Sequence, residues 1–380
     1  MKRKEFLLKR RIESVIFLVI FFGIFGYIAS VMGTTNMINT IMKTAHDLLV
    51  NTVFYIMGIT VLAGALGALF IEFGVVRMLE FILSPLMRPI FNLPGVASLG
   101  GLMTFFSDNP AIINLAGDKK FKSYFKEYEL ISLTNFGTAF GMGLIVVTFM
   151  IGMGFFAPSL IGLTGAVIGA AVSTRLMQFF IKDKIKPLKK NKDEDEKKYI
   201  SFKSKGSAFQ RFLNSILDGG KQGVDIGLAI IPGVLIISTF IMLITFGAEN
   251  AQHGYKGLAY EGVPILPEIG RIFSGVFRIL FGFESPELIA FPITSLGAVG
   301  AALSLVKIFL ERGIITGNEI AVFTAIGMCW SGFLSTHTAM LDALNRRELT
   351  SYALIAHTVG GLLAGVSAHY IFVLFNFIGS

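Results

Sequence analysis

Apolar residues run along this chain in long blocks, separated by short polar or basic segments. A helix needs roughly 20 apolar residues to cross a bilayer. By that rule residues 13–33, 49–73, 130–153, 158–181, 225–247, 320–341 and 352–377 read as seven full spans. Two further apolar regions, 75–116 and 270–305, behave differently. Each starts amphipathic, with Arg77, Glu80 and Arg88 in the first and Arg271 and Arg278 in the second. Each then meets a breaker, NLPG (92–95) or FESPE (283–287), and continues as a Gly-rich apolar stretch. Pro and Gly there interrupt the backbone ladder, and freed backbone groups at membrane depth must be buried in protein or face water. A helix–turn–helix that enters and leaves on one side meets that demand, so both regions are expected to be re-entrant hairpins. The expected fold class is an all-α polytopic membrane protein.

Composition agrees. The 380 residues are 53% hydrophobic and only 15% charged, with a mean hydropathy of +0.70. Glycine (42) and phenylalanine (37) are abundant, which suits close helix packing against lipid-facing aromatics. A net charge of +8 raises the question of nucleic acid, but the basic residues sit in short runs between apolar blocks, as in cytoplasmic loops. No nucleic-acid partner is expected. The single Cys329 rules out an internal disulfide and a cysteine metal cluster. Residues 12–33 follow a basic start but are long enough to span, so a retained anchor is expected rather than a cleaved signal.

Charge also sets the expected topology. With each hairpin returning to its own side and the N-terminus inside, segments 1–11, 117–129, 182–221 and 343–350 all lie in the cytoplasm. Only Lys43, Lys256, Arg271, Arg278, Lys307 and Arg312 then remain outside. Counting either hairpin as one crossing throws a Lys-rich segment to the wrong side. The positive-inside rule therefore predicts seven spans in a cell (inner or plasma) membrane, N-terminus in and C-terminus out. The lysine-rich segment 182–205 has nothing to bury and reads as a solvated cytoplasmic linker.

That linker separates two similar halves. A shift of 190 positions pairs Arg88 with Arg278, Phe91 with Phe281, Thr104 with Thr294, Ala111 with Ala301, Glu129 with Glu319, Thr134 with Thr324, Gly137 with Gly327 and Thr148 with Thr338. The order of elements matches as well: span, amphipathic stretch, breaker, hairpin, Glu-headed span, final span. Three spans per copy, after one extra N-terminal span, make the second copy run the opposite way. The expected division is an N-terminal helix and outer loop (1–45), a first repeat (46–181), a linker (182–210) and an inverted second repeat (211–380). Inverted repeats with broken helices build secondary transporters, whose solute site lies near the midplane.

The polar residues inside the apolar blocks are the candidate chemistry. In the first hairpin, Thr104, Ser107, Asp108 and Asn109 offer hydroxyl, carboxylate and amide groups. A carboxylate within the membrane is costly unless paired or wetted. The SDNP motif also fits a helix cap, with Asp or Asn at the N-cap and Pro110 at the first helical position, and both roles are compatible. In the second hairpin, Glu284, Ser285 and Glu287 are expected at the tip, with Thr294 and Ser295 beyond it; an acidic turn capping the descending helix is the competing reading. The Glu-headed spans add Thr134, Asn135 and Thr138, and then Trp330, Ser331, Ser335, Thr336, His337, Thr338 and Asp342. His337 either exchanges a proton or donates to a neighbouring carbonyl. His357 and His369 carry no expected role. There is no phosphate-binding loop, HExxH motif or nucleophile elbow, so an enzyme is not expected.

The segments LSPLMRPIFNLPG and FRILFGFESPELIAFPITSLG, each leading into a Gly-rich hairpin and a polar-headed span, resemble the nucleoside recognition (Gate) domain. That domain occurs in concentrative nucleoside transporters, in B-type ferrous iron transporters and in spore maturation proteins A and B. The resemblance implies two Gate copies covering nearly everything after the first span. It also implies that hairpin tips and unwound helices bind solute and ion, which points to Asn109, Glu287, Asn135 and Ser331. The transporters' full substrate signatures are absent, and there is no GTPase domain. The expected function is secondary transport of a small polar or nucleoside-like solute, coupled to H⁺ or Na⁺. Asp108, Asn109, Glu284 and Glu287 are expected to line the centre, with Asn135, Ser331, Thr336 and His337 opposite and Thr104 nearby. No cofactor is expected, the partners are the solute and the lipid bilayer, and a homo-oligomer is compatible. The rival is a non-transporting membrane assembly protein of the spore-maturation type.

Overall fold

The structure is a computed structural model that describes residues 2–185, 206–250 and 252–379. It is built of helices: α1 (Lys2–Met32), α2 (Thr34–Asp47), α3 (Phe54–Glu72), α4 (Val75–Phe91), α5 (Ala97–Phe106), α6 (Pro110–Gly117), α7 (Lys119–Ser123), α8 (Glu127–Thr138), α9 (Gly143–Gly152) and α10 (Phe156–Ile181). After the linker come α11 (Ala208–Ala229), α12 (Thr239–Leu243), α13 (Ile265–Ile272), α14 (Ser274–Phe281), α15 (Ala290–Gly297), α16 (Val299–Glu311), α17 (Gly317–Cys329), α18 (Phe333–Ala343) and α19 (Thr350–Gly379). The chain is a multi-pass membrane protein. Seven helical stretches are long and apolar enough to cross: Arg10–Met32, Thr34–Glu72, Glu127–Gly152, Phe156–Ile181, Ala208–Leu243, Gly317–Ala343 and Arg347–Ile378. Of the expected linker (182–210), residues 186–205 lie outside the described residues, and its last three residues already belong to α11, which Ser207 caps.

Two of these stretches are far longer than a bilayer requires. Thr34–Glu72 joins α2 to α3 through a π-helical segment, Leu48–Val53, and Ala208–Leu243 joins α11 to α12 through another, Gly233–Ser238. At 39 residues the first measures about 58 Å, roughly twice the hydrocarbon thickness. The two cross on glycine: an added Cβ at Gly219 or Gly223 would collide with the backbone of Gly64 or Thr60. Thr60 Oγ1 donates to Gly223 O across the same contact (2.6 Å). Such close approach is how helices associate where no water drives them together. The remaining spans, α8–α9, α10, α17–α18 and α19, pack into a second group around Gly162, Gly165 and Gly169 of α10.

The repeat is visible in the backbone. α4 ends at Asn92 (φ 54°), and α14 ends at Gly282 (φ 70°), both left-handed. The bonds match too: Asn92 N donates to Arg88 O (3.1 Å) and Leu93 N to Met87 O (3.3 Å), as Gly282 N does to Arg278 O (2.9 Å) and Phe283 N to Phe277 O (3.4 Å). Glu129 caps α8 through Lys126 N (2.9 Å), and Glu319 caps α17 through Thr316 N (2.7 Å). The breaks within the spans fall at Met142 (φ 53°) and Gly332 (φ 67°), again 190 positions apart.

The hairpins differ from expectation in their extent. Helices α4 and α13–α14 are not hairpin arms: Phe81, Ile82, Ile272 and Ile279 are exposed along them, as on amphipathic helices at a membrane surface. NLPG and FESPE are the elbows that follow, and the arms are α5–α6 and residues 286–311. The 10-residue α5 reaches about 15 Å, half the hydrocarbon depth, so its tip lies near the midplane. The first tip is Ser107–Asn109 and the second is at Ala298, held extended between α15 and α16. Glu284, Ser285 and Glu287 are therefore at the base of the second hairpin, not its tip. The proline in FESPE misled the reading: Pro286 opens the short 3₁₀ turn Pro286–Ile289 at the start of the arm.

Replacing Gly219 with Val is expected to weaken the crossing of the long helices, at about 1–3 kcal/mol of overpacking. Thermal unfolding of the detergent-solubilised protein should fall by several degrees. Gly58→Val, at a position with open space around it, should leave the midpoint unchanged.

Candidate functional site

The first hairpin tip is built for contact with both broken spans. Pro110 at the first turn of α6 needs no backbone donor there, which lets the helix start sharply after Asn109. Asn109 does not use its side chain to cap that helix. Its Nδ2 instead reaches Ser331 O (3.2 Å) and Ser331 Oγ (3.3 Å) in the break between α17 and α18. Its Oδ1 is buried with no donor. The amide is packed from both sides by glycine. An added Cβ at Gly141, in the break between α8 and α9, would collide with Asn109 Oδ1; one at Gly332 would lie 2.7 Å from Nδ2 and also strike Thr336 Oγ1. One side chain thus sits between the two interruptions of the transmembrane helices.

Asp108 takes the local role: its Oδ1 accepts from Asn109 N (2.7 Å), which fixes the turn. It also lines a cleft of about 560 Å³ between the first hairpin and α11, together with Ser107, Asn114, Gln222 and Asp225. The second tip offers no polar atom of this kind. Ala298 packs near Gly233 in the π-helical segment, and Phe291 stacks on Phe323 with ring centres 4.1 Å apart.

A second buried network lies beside the first. Asn135 Nδ2 donates to Ser173 Oγ (2.9 Å) and Ala353 O (2.9 Å), while its Oδ1 has no donor. Ser173 Oγ lies 2.9 Å from His357 Nδ1, and His357 Nε2 bonds to Cys329 O. A carbonyl only accepts, so His357 carries its proton on Nε2 and Nδ1 accepts from Ser173. Trp330 Nε1 donates to His357 O (3.2 Å), so the indole serves as a strut beside the break. His337 stands next to it, ring centres 4.5 Å apart; its Nδ1 donates to Phe333 O (2.5 Å) and its buried Nε2 has no partner.

The expected site residues therefore fall into three places. Asn109, Ser331 and Thr336 meet at the tip, with Asp108 on the adjoining cleft. Asn135 and His337 belong to the network around Ser173 and His357. Glu284 is exposed, and Glu287 accepts from Ser285 Oγ (2.7 Å) at the hairpin base; neither is near the first tip. Thr104 spends its hydroxyl on Gly100 O (2.7 Å) within its own helix. Ser173 and His357 carry no motif signal in the sequence: each stands in a short polar pair, Ser173–Thr174 and His357–Thr358, within an otherwise apolar span. Gly141 and Gly332 were legible only as glycines near polar residues.

Residues 53–154 match the nucleoside recognition (Gate) family. No curated protein gives a match to the chain. Among solved structures, the chain is similar to a doubly substituted form of the concentrative nucleoside transporter CNTnw in an outward-facing state. The TM-score is 0.55 at 12% identity, over 97% of this chain and 86% of that one. It is equally similar to CNTnw in an inward-facing substrate-bound state (TM-score 0.54, 14% identity, 97% and 86% covered). A substituted form in an intermediate state gives the same score at 12% identity, with 98% and 88% covered. At these identities the likeness establishes the fold, a two-hairpin helical membrane bundle.

The buried network makes a specific demand. His357→Leu strands Ser173 Oγ and Cys329 O, at about 1–3 kcal/mol for each unmet group. The expected result is a clear fall in thermal midpoint. His357→Gln, which keeps an acceptor and a donor, should recover part of it.

Proposed function

We propose that this chain is a secondary transporter that moves a small polar, nucleoside-like solute by alternating access, coupled to an ion. The observation that carries the reading is Asn109, a hairpin-tip amide wedged at mid-depth between the two broken spans of an inverted repeat. The Gate match over residues 53–154 and the likeness to CNTnw support it, and nucleoside is the solute class they favour. We extend the Gate repeats to residues 46–181 and 211–380, with the N-terminal span outside both. Solute contact is assigned to Asn109, Ser331 and Thr336, with Asp108 at the cleft that admits it. Asn135 and His337 hold the second broken span in place.

The unmet Oδ1 of Asn109 favours Na⁺ over H⁺ as the coupling ion, since a hard cation takes oxygen ligands and the amide cannot exchange a proton. Positive charge places the linker end in the cytoplasm of a cell-membrane protein, with the N-terminus in and the C-terminus out.

In proteoliposomes, a Na⁺ gradient should drive uptake of nucleosides. Asn109→Ala should cut that uptake roughly tenfold or more, the loss expected for one strong hydrogen-bonded contact. Uptake driven equally well by a pH gradient without Na⁺ would transfer the coupling role to His337. No gradient-driven flux across a panel of nucleosides and other small polar solutes would sink the transport reading. Orientation is checked separately: a cysteine replacing Lys184 in a Cys329→Ser background should react with an impermeant maleimide only from the cytoplasmic face.

A further inference from the structure

A cavity of about 760 Å³ lies away from the hairpin tips. It lies at the base of the second hairpin, on the membrane side opposite the linker, between the end of α14 and the last turns of α19. Its counterpart in the first repeat shows why it exists. There Arg88 Nη1 pairs with Glu129 Oε1 (2.6 Å), Asn92 Nδ2 bonds to Gln178 Oε1 (2.9 Å), and Gln178 Nε2 reaches Ser132 Oγ (3.1 Å) and Phe91 O (3.2 Å). The four side chains close the space.

In the second repeat the same positions leave it open. Gly282 stands where Asn92 does and contributes no side chain; its left-handed φ of 70° and its contact with the His369 ring leave no room for one. Glu319 turns inward, accepting from Thr316 N (2.7 Å), Thr316 Oγ1 (2.7 Å) and Asn318 Nδ2 (2.9 Å). Asn318 Oδ1 is taken by His369 Nδ1 (2.7 Å). Arg278, the equivalent of Arg88, therefore loses its carboxylate. Among the described residues neither the Arg278 nor the Glu284 side chain has an ion pair or hydrogen bond, and both line the cavity.

The walls identify what fits. The polar floor carries one unpaired cation and one unpaired carboxylate. The flank is Phe372 and Val373 of α19, continuous with exposed Leu374 and Phe375, and Ile279 is exposed on α14 beside it. An arginine at the end of an amphipathic interfacial helix is the usual partner for a phosphate, and the exposed apolar residues beside it offer a track for acyl chains. A primary ammonium can donate to the exposed Glu284 carboxylate, and a trimethylammonium, which has no N–H, cannot.

We propose that this cavity binds a phospholipid whose headgroup carries a primary ammonium, phosphatidylethanolamine being the simplest. Arg278 takes the phosphate, Glu284 the ammonium, and Phe372 and Val373 the upper acyl chain. The lipid does in the second repeat what Arg88–Glu129 and Asn92–Gln178 do in the first: it seals the joint between the end of the surface helix and the spans behind it.

The test uses the full chain, purified in mild detergent and presented with phosphatidylethanolamine, phosphatidylcholine and phosphatidylglycerol of identical acyl chains. Native mass spectrometry should show preferential retention of phosphatidylethanolamine. Arg278→Ala and Glu284→Gln should each lower that retention at least fivefold, Arg278→Lys should lower it less, and Arg88→Ala should leave it unchanged. Equal retention of all three lipids, or the same retention in Glu284→Gln, would overturn the proposal. So would full competition by water-soluble phosphoethanolamine, which would show that the acyl flank contributes nothing. None of these readouts depends on solute flux, so the lipid site and the transport reading fail separately.

Discussion

An interrupted helix inside a membrane strands amides and carbonyls that water cannot reach, and each unmet group costs free energy. This chain interrupts two of its spans, at Ala139–Met142 and at Trp330–Gly332, and brings both to one place. The contact that makes this tenable is Asn109 on Ser331. Its Nδ2 satisfies the Ser331 carbonyl, and the glycines at 141 and 332 let the amide plane lie flat against both breaks. Much else is arranged to hold that contact: Asp108 fixes the turn before it, Pro110 starts the helix after it, and Trp330 and His357 brace the far side of the second break.

The hairpins also bridge two packing groups, which meet directly between α3 and α9 as well. The long crossed stretches 34–72 and 208–243 form one group, and α8–α10 with α17–α19 form the other. The first hairpin touches the long pair where the Phe106 backbone lies over Gly67, and the second does so where Ala298 meets Gly233. The first of these contacts is small and apolar on the long-helix side, while beside the second Ser238 Oγ donates to Ala301 O (3.0 Å). The polar, directional bonds of the first tip run to the other group.

Much of this was legible in the chain. The seven spans followed from apolar run length alone, and the repeat followed from pairs such as Arg88 with Arg278 and Glu129 with Glu319. Of those residues, Glu129 and Glu319 cap their helices and Arg88 pairs with Glu129. The tip of the second hairpin was not legible from its polar residues because it has none: SLGAV breaks the helix only by an extended alanine after a glycine. Proline and acid drew attention to FESPE instead. Yet the shift that pairs Arg88 with Arg278 also pairs Asp108 with Ala298, so the right position was present in the alignment and hidden by its chemistry. Ser173 and His357 were missed for another reason. A short polar pair in an apolar span gives no periodic signal, and only three-dimensional contact shows that Asn135 bonds Ser173 and Ser173 bonds His357.

The two copies share a backbone and have parted in chemistry at both ends of the hairpin. At the tip, the first copy has Asp108 and Asn109 where the second has Ala298 and Val299. At the base, the first copy is closed by Arg88, Glu129, Asn92 and Gln178, while the second lacks the asparagine, turns its glutamate inward and leaves Arg278 unpaired. An inverted repeat with equal copies would present the same contacts to both sides of the membrane. Here the side-chain hydrogen bonds at a hairpin tip come from the first copy, and the open joint belongs to the second. The two hairpins are therefore not equivalent: the first tip bonds through a side-chain amide, while the second packs an apolar tip against the Gly233–Ser238 segment, with Ser238 Oγ donating to Ala301 O beside it (3.0 Å).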